Sequence, residues 1–156
     1  GRFERAHGST IFLDEIGEVV EESLRETKAA EESNYARQGQ GKYRERLLQE
    51  CPFCPNTMVA EERLLIASHI KPWAVSDDKE KIDPKNGFML TPLYDKLFDK
   101  GYMTFTNDKH MILSNWISKN TYDKLGIVDN KYIQMLPLDE KRIEYLEYHR
   151  TSVFKG

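Results

Sequence analysis

The sequence predicts an α+β fold, and three observations carry that prediction. Two strand-length apolar runs, Leu64-Leu65-Ile66-Ala67 and Phe88-Met89-Leu90, stand on either side of a long polar stretch. Runs of this length between turn signals suit strands better than helices. A segment with both start and stop signals for a helix, from Thr91-Pro92 to Gly101, follows the second run directly. Beyond it, Tyr102-Met103-Thr104-Phe105 and Met111-Ile112-Leu113-Ser114 flank a polar Asn107-Asp108-Lys109-His110, which is a hairpin pattern. The expected architecture is therefore a strand, loop, strand, helix core with an extra β-hairpin and flanking helices.

The first run delivers His69 at a strand end, because Ile70-Lys71-Pro72 must leave regular structure. A side chain there is held firmly and can still face a ligand. The thirteen residues 74–86 are mostly polar and charged, and are expected to form a loop that returns beside its origin. Asn86-Gly87 is a turn signal ahead of the second strand. Thr91 is placed to cap a helix with Pro92 at its first position, and Gly101 to end it. Within that helix Asp95 and Asp99, four residues apart, share one face.

Upstream, Ile16, Val19, Val20, Leu24 and Ala30 fall on one side of an expected helix over 14–32, with acids on the other. Residues 33–41 read as a hinge loosened by Gly39 and Gly41, and a second helix is expected over 43–49 with Tyr43, Leu47 and Leu48 inward. Downstream, 120–125 read as a short helix closed by Gly126, and 131–137 as a strand-like stretch ended by Pro137. Asp139 caps a last helix running through His149, with Ile143 and Leu146 inward. His110 falls in the hairpin turn. His149 and Arg150 suit a helix C-terminus as cations.

Composition bounds the function classes. The chain has 156 residues, 39% of them hydrophobic and 31% charged, which fits one ordinary domain with an appended segment. No run of 18 apolar residues occurs, so no membrane span is expected, and charges interrupt the first residues throughout, unlike a secretory signal. The only cysteines are Cys51 and Cys54, which fits a cytoplasmic protein and argues against a disulfide framework. The pair is open to three readings: half of a metal site, a redox pair, or a tight turn between Pro52 and Pro55. Structural zinc is not expected, since zinc wants four ligands and no second pair exists. The formal net charge is −3, yet residues 1–35 hold four Lys/Arg against nine Asp/Glu, and 36–156 hold nineteen against seventeen. The acidity is thus confined to an N-terminal segment, 1–35, and the remaining 36–156 is permissive for DNA.

Strand, loop, strand, helix with His69, Asn86 and Asp95 at its stations resembles the ββα-metal, or HNH, endonuclease fold. The string ASHIKPW, followed by NGFMLTPLYDKLFDKG, resembles the HNH branch found in many bacterial restriction endonucleases. Gln38 to Arg44 and Tyr145 to Arg150 are similar to segments flanking the core in those enzymes, so the resemblance spans roughly 36–155. It implies His69 as general base, Asn86 as the residue steadying the loop that holds it, and Asp95 as a ligand for Mg²⁺ or Mn²⁺, with Asp99 an outer partner. It also implies double-stranded DNA as substrate, with Lys42, Arg44 and Lys71 as candidate contacts. Two departures stand out. Ser68 occupies a place where many relatives have a metal-binding Asp, and one Cys-x-x-Cys pair is present where many have two; the second would fall near Thr91 and Tyr94.

Separately, GRFERAHGSTIFLDEIGEV at 1–19 resembles the Walker B region of AAA+ enhancer-binding transcription activators. ATP hydrolysis also needs a Gly-rich phosphate loop ending in Lys-Ser/Thr, and none of these residues form one; the stretch reads as an orphan fragment. Taken singly, His69 is better explained as a satisfied strand-end histidine, and Asp95 with Asp99 as a solvated helix face. Their joint spacing around Asn86 is what points to a site. The expected role is restriction of foreign DNA, for which palindromic targets favour a homodimer. Rival expectations are a nuclease effector of phage defence and a non-catalytic DNA-binding module that has lost its metal.

Overall fold

Residues 36–50 are helical (α1) in the computed structural model, which describes residues 36–156. The expected helix over 43–49 is present, and Tyr43 and Leu47, one turn apart, are both buried. The expected hinge is absent from its described part, because 36–41 continue the helix. Gly39 lies against Trp73 and Ile82, with contacts of 3.9 Å at the position a Cβ would take. The expected helix over 14–32 and the stretch 1–19 lie outside the described residues. Gly39–Gly156 form one compact unit.

Strand β1, Ile66–His69, pairs antiparallel with β2, Gly87–Leu90, with His69 opposite Gly87 and Ile66 opposite Leu90. All four residues of β2 are buried, so it is covered on both faces and reads as a continuous apolar run instead of an alternating one. The connection is more ordered than its polarity suggests. After a single 3₁₀ turn at Trp73–Val75 comes a short helix, α2, Asp78–Ile82. Asp77 accepts from the Glu80 backbone N–H, and the Glu80 carboxylate accepts from the Asp77 N–H. This capping box at Asp77-x-x-Glu80 is the local signal that a count of polar residues misses.

Helix α3, Pro92–Asp99, begins at the expected proline and ends at Lys100, with Gly101 at φ +77°. A Cβ at Gly101 would also fall 2.0 Å from the Val153 carbonyl oxygen, so both conformation and space require glycine there. Thr91 stands at the N-cap position but makes no side-chain cap bond. Instead its hydroxyl lies 3.7 Å from the Cys54 sulfur.

A second sheet orders β3, Met103–Phe105, then β4, His110–Leu113, then β5, Lys131–Tyr132, all antiparallel. The hairpin is as expected, but His110 begins β4 and its ring lies 5.5 Å from that of Tyr132. Only two residues of the strand-like 131–137 pair. Past them the chain turns, Leu136 N–H bonding to the Ile133 carbonyl at 3.1 Å, so that Ile133 and Leu136 both enter the core. Helix α4, Lys119–Leu125, is capped by the Ser118 hydroxyl and closed by Gly126 at φ +72°. Phe88, Phe98 and Phe105 meet edge-on or tilted at 5.4–6.0 Å between centroids, joining β2, α3 and β3 in one core.

The last helix, α5, Glu140–Tyr148, is capped by Asp139, which accepts from the Arg142 N–H at 2.8 Å. Leu146 is fully buried, and beside it the inner face carries a charged residue. Arg142 is 2% exposed and lies across the β2 end of the core. Its guanidinium donates to the Gly87 and Pro84 carbonyls, both at 3.2 Å, and pairs with Asp139 at 2.9 Å and Glu50 at 3.1 Å. Every arm of the fork is satisfied, which is what allows a guanidinium to be buried. Among the described residues no helix is long and apolar enough to cross a membrane.

His149 starts a wide π-type turn, His149–Val153, and is not the surface cation that its place at a helix end suggests. Its ring is 1% exposed and stacked on Phe98 at 3.9 Å and 7°. Nε2 lies 2.9 Å from the Phe98 carbonyl oxygen and Nδ1 2.9 Å from the Thr104 hydroxyl. A carbonyl only accepts, so Nε2 carries the proton and Nδ1 accepts from Thr104. Burial lowers its pKa from 6.5 to about 4. The unfolded chain takes up this proton near pH 6.5 and the folded one only near 4, so stability is full above pH 6.5 and drains as pH falls towards 4. The loss is on the order of 3 kcal/mol. Urea unfolding at pH 7.5 and 4.5 should show the wild type losing more stability than His149→Gln between the two; equal losses would refute the assignment.

Candidate active site on the β1–β2 hairpin

Two adjacent residues of β1 anchor the site. Neighbours on a strand point to opposite faces, and Ser68 and His69 do so. Ser68 is buried on the side of α3, close enough to Asp95 for its hydroxyl to favour the charged form of that carboxyl. His69 lies against α1 and the loop, with its ring stacked on Tyr43 at 4.0 Å and 18°, and Trp73 edge-on at 5.7 Å.

The tautomer of His69 follows from its contact. Nε2 lies 2.9 Å from the carbonyl oxygen of Lys81. Since that oxygen can only accept, Nε2 carries the hydrogen and Nδ1 keeps its lone pair. Burial lowers the pKa of the ring below its ordinary value, with the Lys81 carbonyl acting weakly the other way. The result is a neutral imidazole of fixed tautomer at a strand end, the state a general base needs.

Asn86 is wholly buried and braces the loop that carries this arrangement. Its side-chain oxygen accepts from the Lys71 N–H at 2.8 Å, and its amide donates to the Glu80 carbonyl at 3.0 Å and to that of Lys71 at 3.4 Å. Its own carbonyl accepts from the Tyr43 hydroxyl at 2.7 Å and from the Ile70 N–H at 3.2 Å. Glu80 immediately precedes Lys81, so the residue that fixes the loop also sets the carbonyl that fixes His69.

Asp95, half-buried on α3, has its pKa raised, first by burial and then by the charge of Asp99 one turn on, while the Ser68 hydroxyl and Lys96 pull it down. A desolvated carboxylate beside a second one favours a cation. The donors here are hard oxygens, the Asp95 carboxylate and Ser68 hydroxyl with exposed Asp99 at the rim, and these suit Mg²⁺ or Mn²⁺ better than softer metals. Among the described residues no three His, Cys, Asp or Glu side chains form a ready cage, so an ion here would keep most of its water.

The three basic candidates divide. Lys42 is exposed on α1. Arg44 uses its guanidinium internally, donating to the Leu65 carbonyl at 2.6 Å and the Glu62 carbonyl at 2.7 Å, which fixes the approach to β1. Lys71 pairs with Glu80 at 2.8 Å and lies 5.4 Å over the Tyr148 ring.

Cys51 and Cys54 are both buried in a turn closed by Cys54 N–H to the Val59 carbonyl, 2.9 Å, and Met58 N–H to the Cys54 carbonyl, 2.7 Å. Burial pushes the Cys51 thiol up. Thr91 touches Cys54, so one of the two positions of the missing second pair meets the first. Neither Thr91 nor Tyr94 supplies a thiolate.

Tyr43 was legible in the sequence only as an inward-facing residue. Its partner lies 26 positions on, and no short-range pattern joins them.

None of the curated proteins matches the chain. Residues 51–106 match the family model described as HNH endonuclease, a span that begins at the cysteine turn, contains His69, Asn86, Asp95 and Asp99, and ends just past β3. The family match thus supports an HNH endonuclease domain within residues 51–106, about a third of the chain.

Proposed function

We propose that residues 36–156 form a divalent-metal-dependent DNA endonuclease of the ββα-metal type, with His69 as general base and Asp95 as the principal metal ligand. The observation that carries this reading is the state of His69, a buried imidazole whose Nε2 is held by the Lys81 carbonyl so that Nδ1 keeps its lone pair, next in the strand to Ser68, which acts on Asp95. In the reaction Nδ1 takes a proton from water, the resulting hydroxide attacks phosphorus, and the bond to the 3′ oxygen breaks. Bound at Asp95, with Ser68 and Asp99 beside it, Mg²⁺ or Mn²⁺ would act as a Lewis acid for the developing charge. Asn86 keeps the loop and the Lys81 carbonyl in register with His69. Lys42 is the proposed phosphate contact, while Arg44 and Lys71 serve DNA binding by holding β1 and the loop in shape.

The proposed substrate is double-stranded DNA and the proposed role restriction of foreign DNA in the cytoplasm, by a homodimer where the target is palindromic. One observation favours a non-catalytic DNA-binding module instead: Ser68 stands beside Asp95, and no third carboxylate or imidazole joins Asp95 and Asp99. Plasmid nicking separates the two. With Mg²⁺ or Mn²⁺ the wild type should cleave, and His69→Ala and Asp95→Ala should each lose at least about 100-fold in rate while melting within a few degrees of wild type. Cleavage at wild-type rates by either folded variant would contradict the assignment. Discrete fragments would favour restriction, and a smear an indiscriminate defence effector.

The pH dependence follows from the sign of the His69 shift. The base works only when neutral, and burial lowers its pKa, so the acid limb of the cleavage rate should reach half-maximum below about pH 6.5. A midpoint above that value in wild type would count against His69 as the base.

A further inference from the structure

We propose that Tyr43, outside the matched span, is a positioning residue for the general base, holding the His69 ring in the one tautomer and plane that leave Nδ1 available. This rests on the nuclease reading above for its kinetic consequence, but not for its structural one. Three contacts define a surface for the imidazole. The Tyr43 ring lies against its face at 4.0 Å, Trp73 meets it edge-on at 5.7 Å, and the Lys81 carbonyl holds Nε2 at 2.9 Å. A single hydrogen bond still lets a ring rock about it. A face-on partner within van der Waals distance removes that freedom.

Tyr43 is itself over-determined. It is 1% exposed, and its hydroxyl donates 2.7 Å to the carbonyl of Asn86. Gly87 leaves the space for that hydroxyl, since a Cβ there would fall 1.7 Å from the phenol oxygen and 2.8 Å from the Ser68 carbonyl. One phenol ring therefore joins the two residues on which the site depends: its face bears on His69 and its hydroxyl on Asn86. Burial keeps the phenol protonated, raising its pKa well above the usual value, so it remains a donor across the working range. The same aromatic face supports positive charge on the imidazole as it takes the proton, the sense of a cation–π contact.

The test uses the full chain and two substitutions. Tyr43→Phe keeps the stack and loses only the bond to Asn86; Tyr43→Leu removes the stack. Nitrogen-15 NMR of the histidine rings, on protein alone, reports the tautomer, and plasmid cleavage with Mg²⁺ reports kcat and KM. Wild type and Tyr43→Phe should show His69 protonated at Nε2 alone. Tyr43→Leu should show mixed tautomers and a kcat lowered about 10- to 100-fold, with KM within twofold of wild type. If Tyr43→Leu does not fold, Tyr43→Met takes its place, with the same expectation. A folded variant lacking the aromatic ring that retains a pure Nε2–H tautomer overturns the proposal, even if its rate falls, because the loss would then be merely structural. Mixed tautomers with wild-type kcat overturn it equally. Should wild type cleave nothing, the nuclease reading fails, and the tautomer comparison still decides whether Tyr43 holds the ring.

Discussion

The buried side chain of Asn86 is the contact from which the rest of the site hangs. It closes both ends of a polar connection that has little apolar surface of its own, taking the Lys71 N–H at 2.8 Å and giving to the Glu80 carbonyl at 3.0 Å. An unsatisfied buried amide costs more than a typical hydrogen bond contributes, so every one of these partners constrains the others. A polar residue in this place specifies one loop conformation where an apolar one would merely fill space. Next to it, the Gly87 carbonyl takes the Nε of Arg142 at 3.2 Å, and Arg142 reaches Glu50 at the end of α1. The first and last described helices are thus drawn onto the same two residues.

From that constraint the chemistry divides across β1. On one side Ser68 acts on the Asp95 carboxyl of α3; on the other His69 is set between Tyr43, Trp73 and the Lys81 carbonyl. Adjacent positions on a strand end keep the two groups a fixed distance apart while leaving their chemistries separate. Burial acts oppositely on the two: it raises the carboxylate and lowers the imidazole, in both cases by disfavouring charge. A cation beside Asp95 would reverse the first effect and leave the second in place.

Much of this was legible in the sequence because the signals are local. Thr91-Pro92 and Gly101 bracket α3 by backbone chemistry alone, and the Gly126 stop and the hairpin at 107–110 work the same way. The order of His69, Asn86 and Asp95 is likewise a spacing, and spacings survive in one dimension. What was not legible came from long-range contacts. Of the hinge expected at 33–41, the described part, 36–41, is helix, with Gly39 beside Trp73 and Ile82, and His149 changes from a surface cation to a buried neutral ring because Phe98 and Thr104 enclose it. Among the basic residues Arg44 differs for a related reason: a cation near a turn looks available to phosphate, yet its guanidinium serves backbone carbonyls 18 and 21 positions away. Only α2 was hidden despite a local signal, the Asp77–Glu80 box.

The central proposal is that a hydrated divalent ion binds at Asp95, beside the strand end that carries His69. Substoichiometric Mn²⁺ added to nitrogen-15-labelled protein tests it without substrate or mutation, since the ion broadens nearby amide signals. Loss of the Ser68, His69 and Asp95 signals before any others is the predicted result. Broadening that begins elsewhere, at Asp77 and Asp78 or at Asp129, with those three signals intact would contradict it.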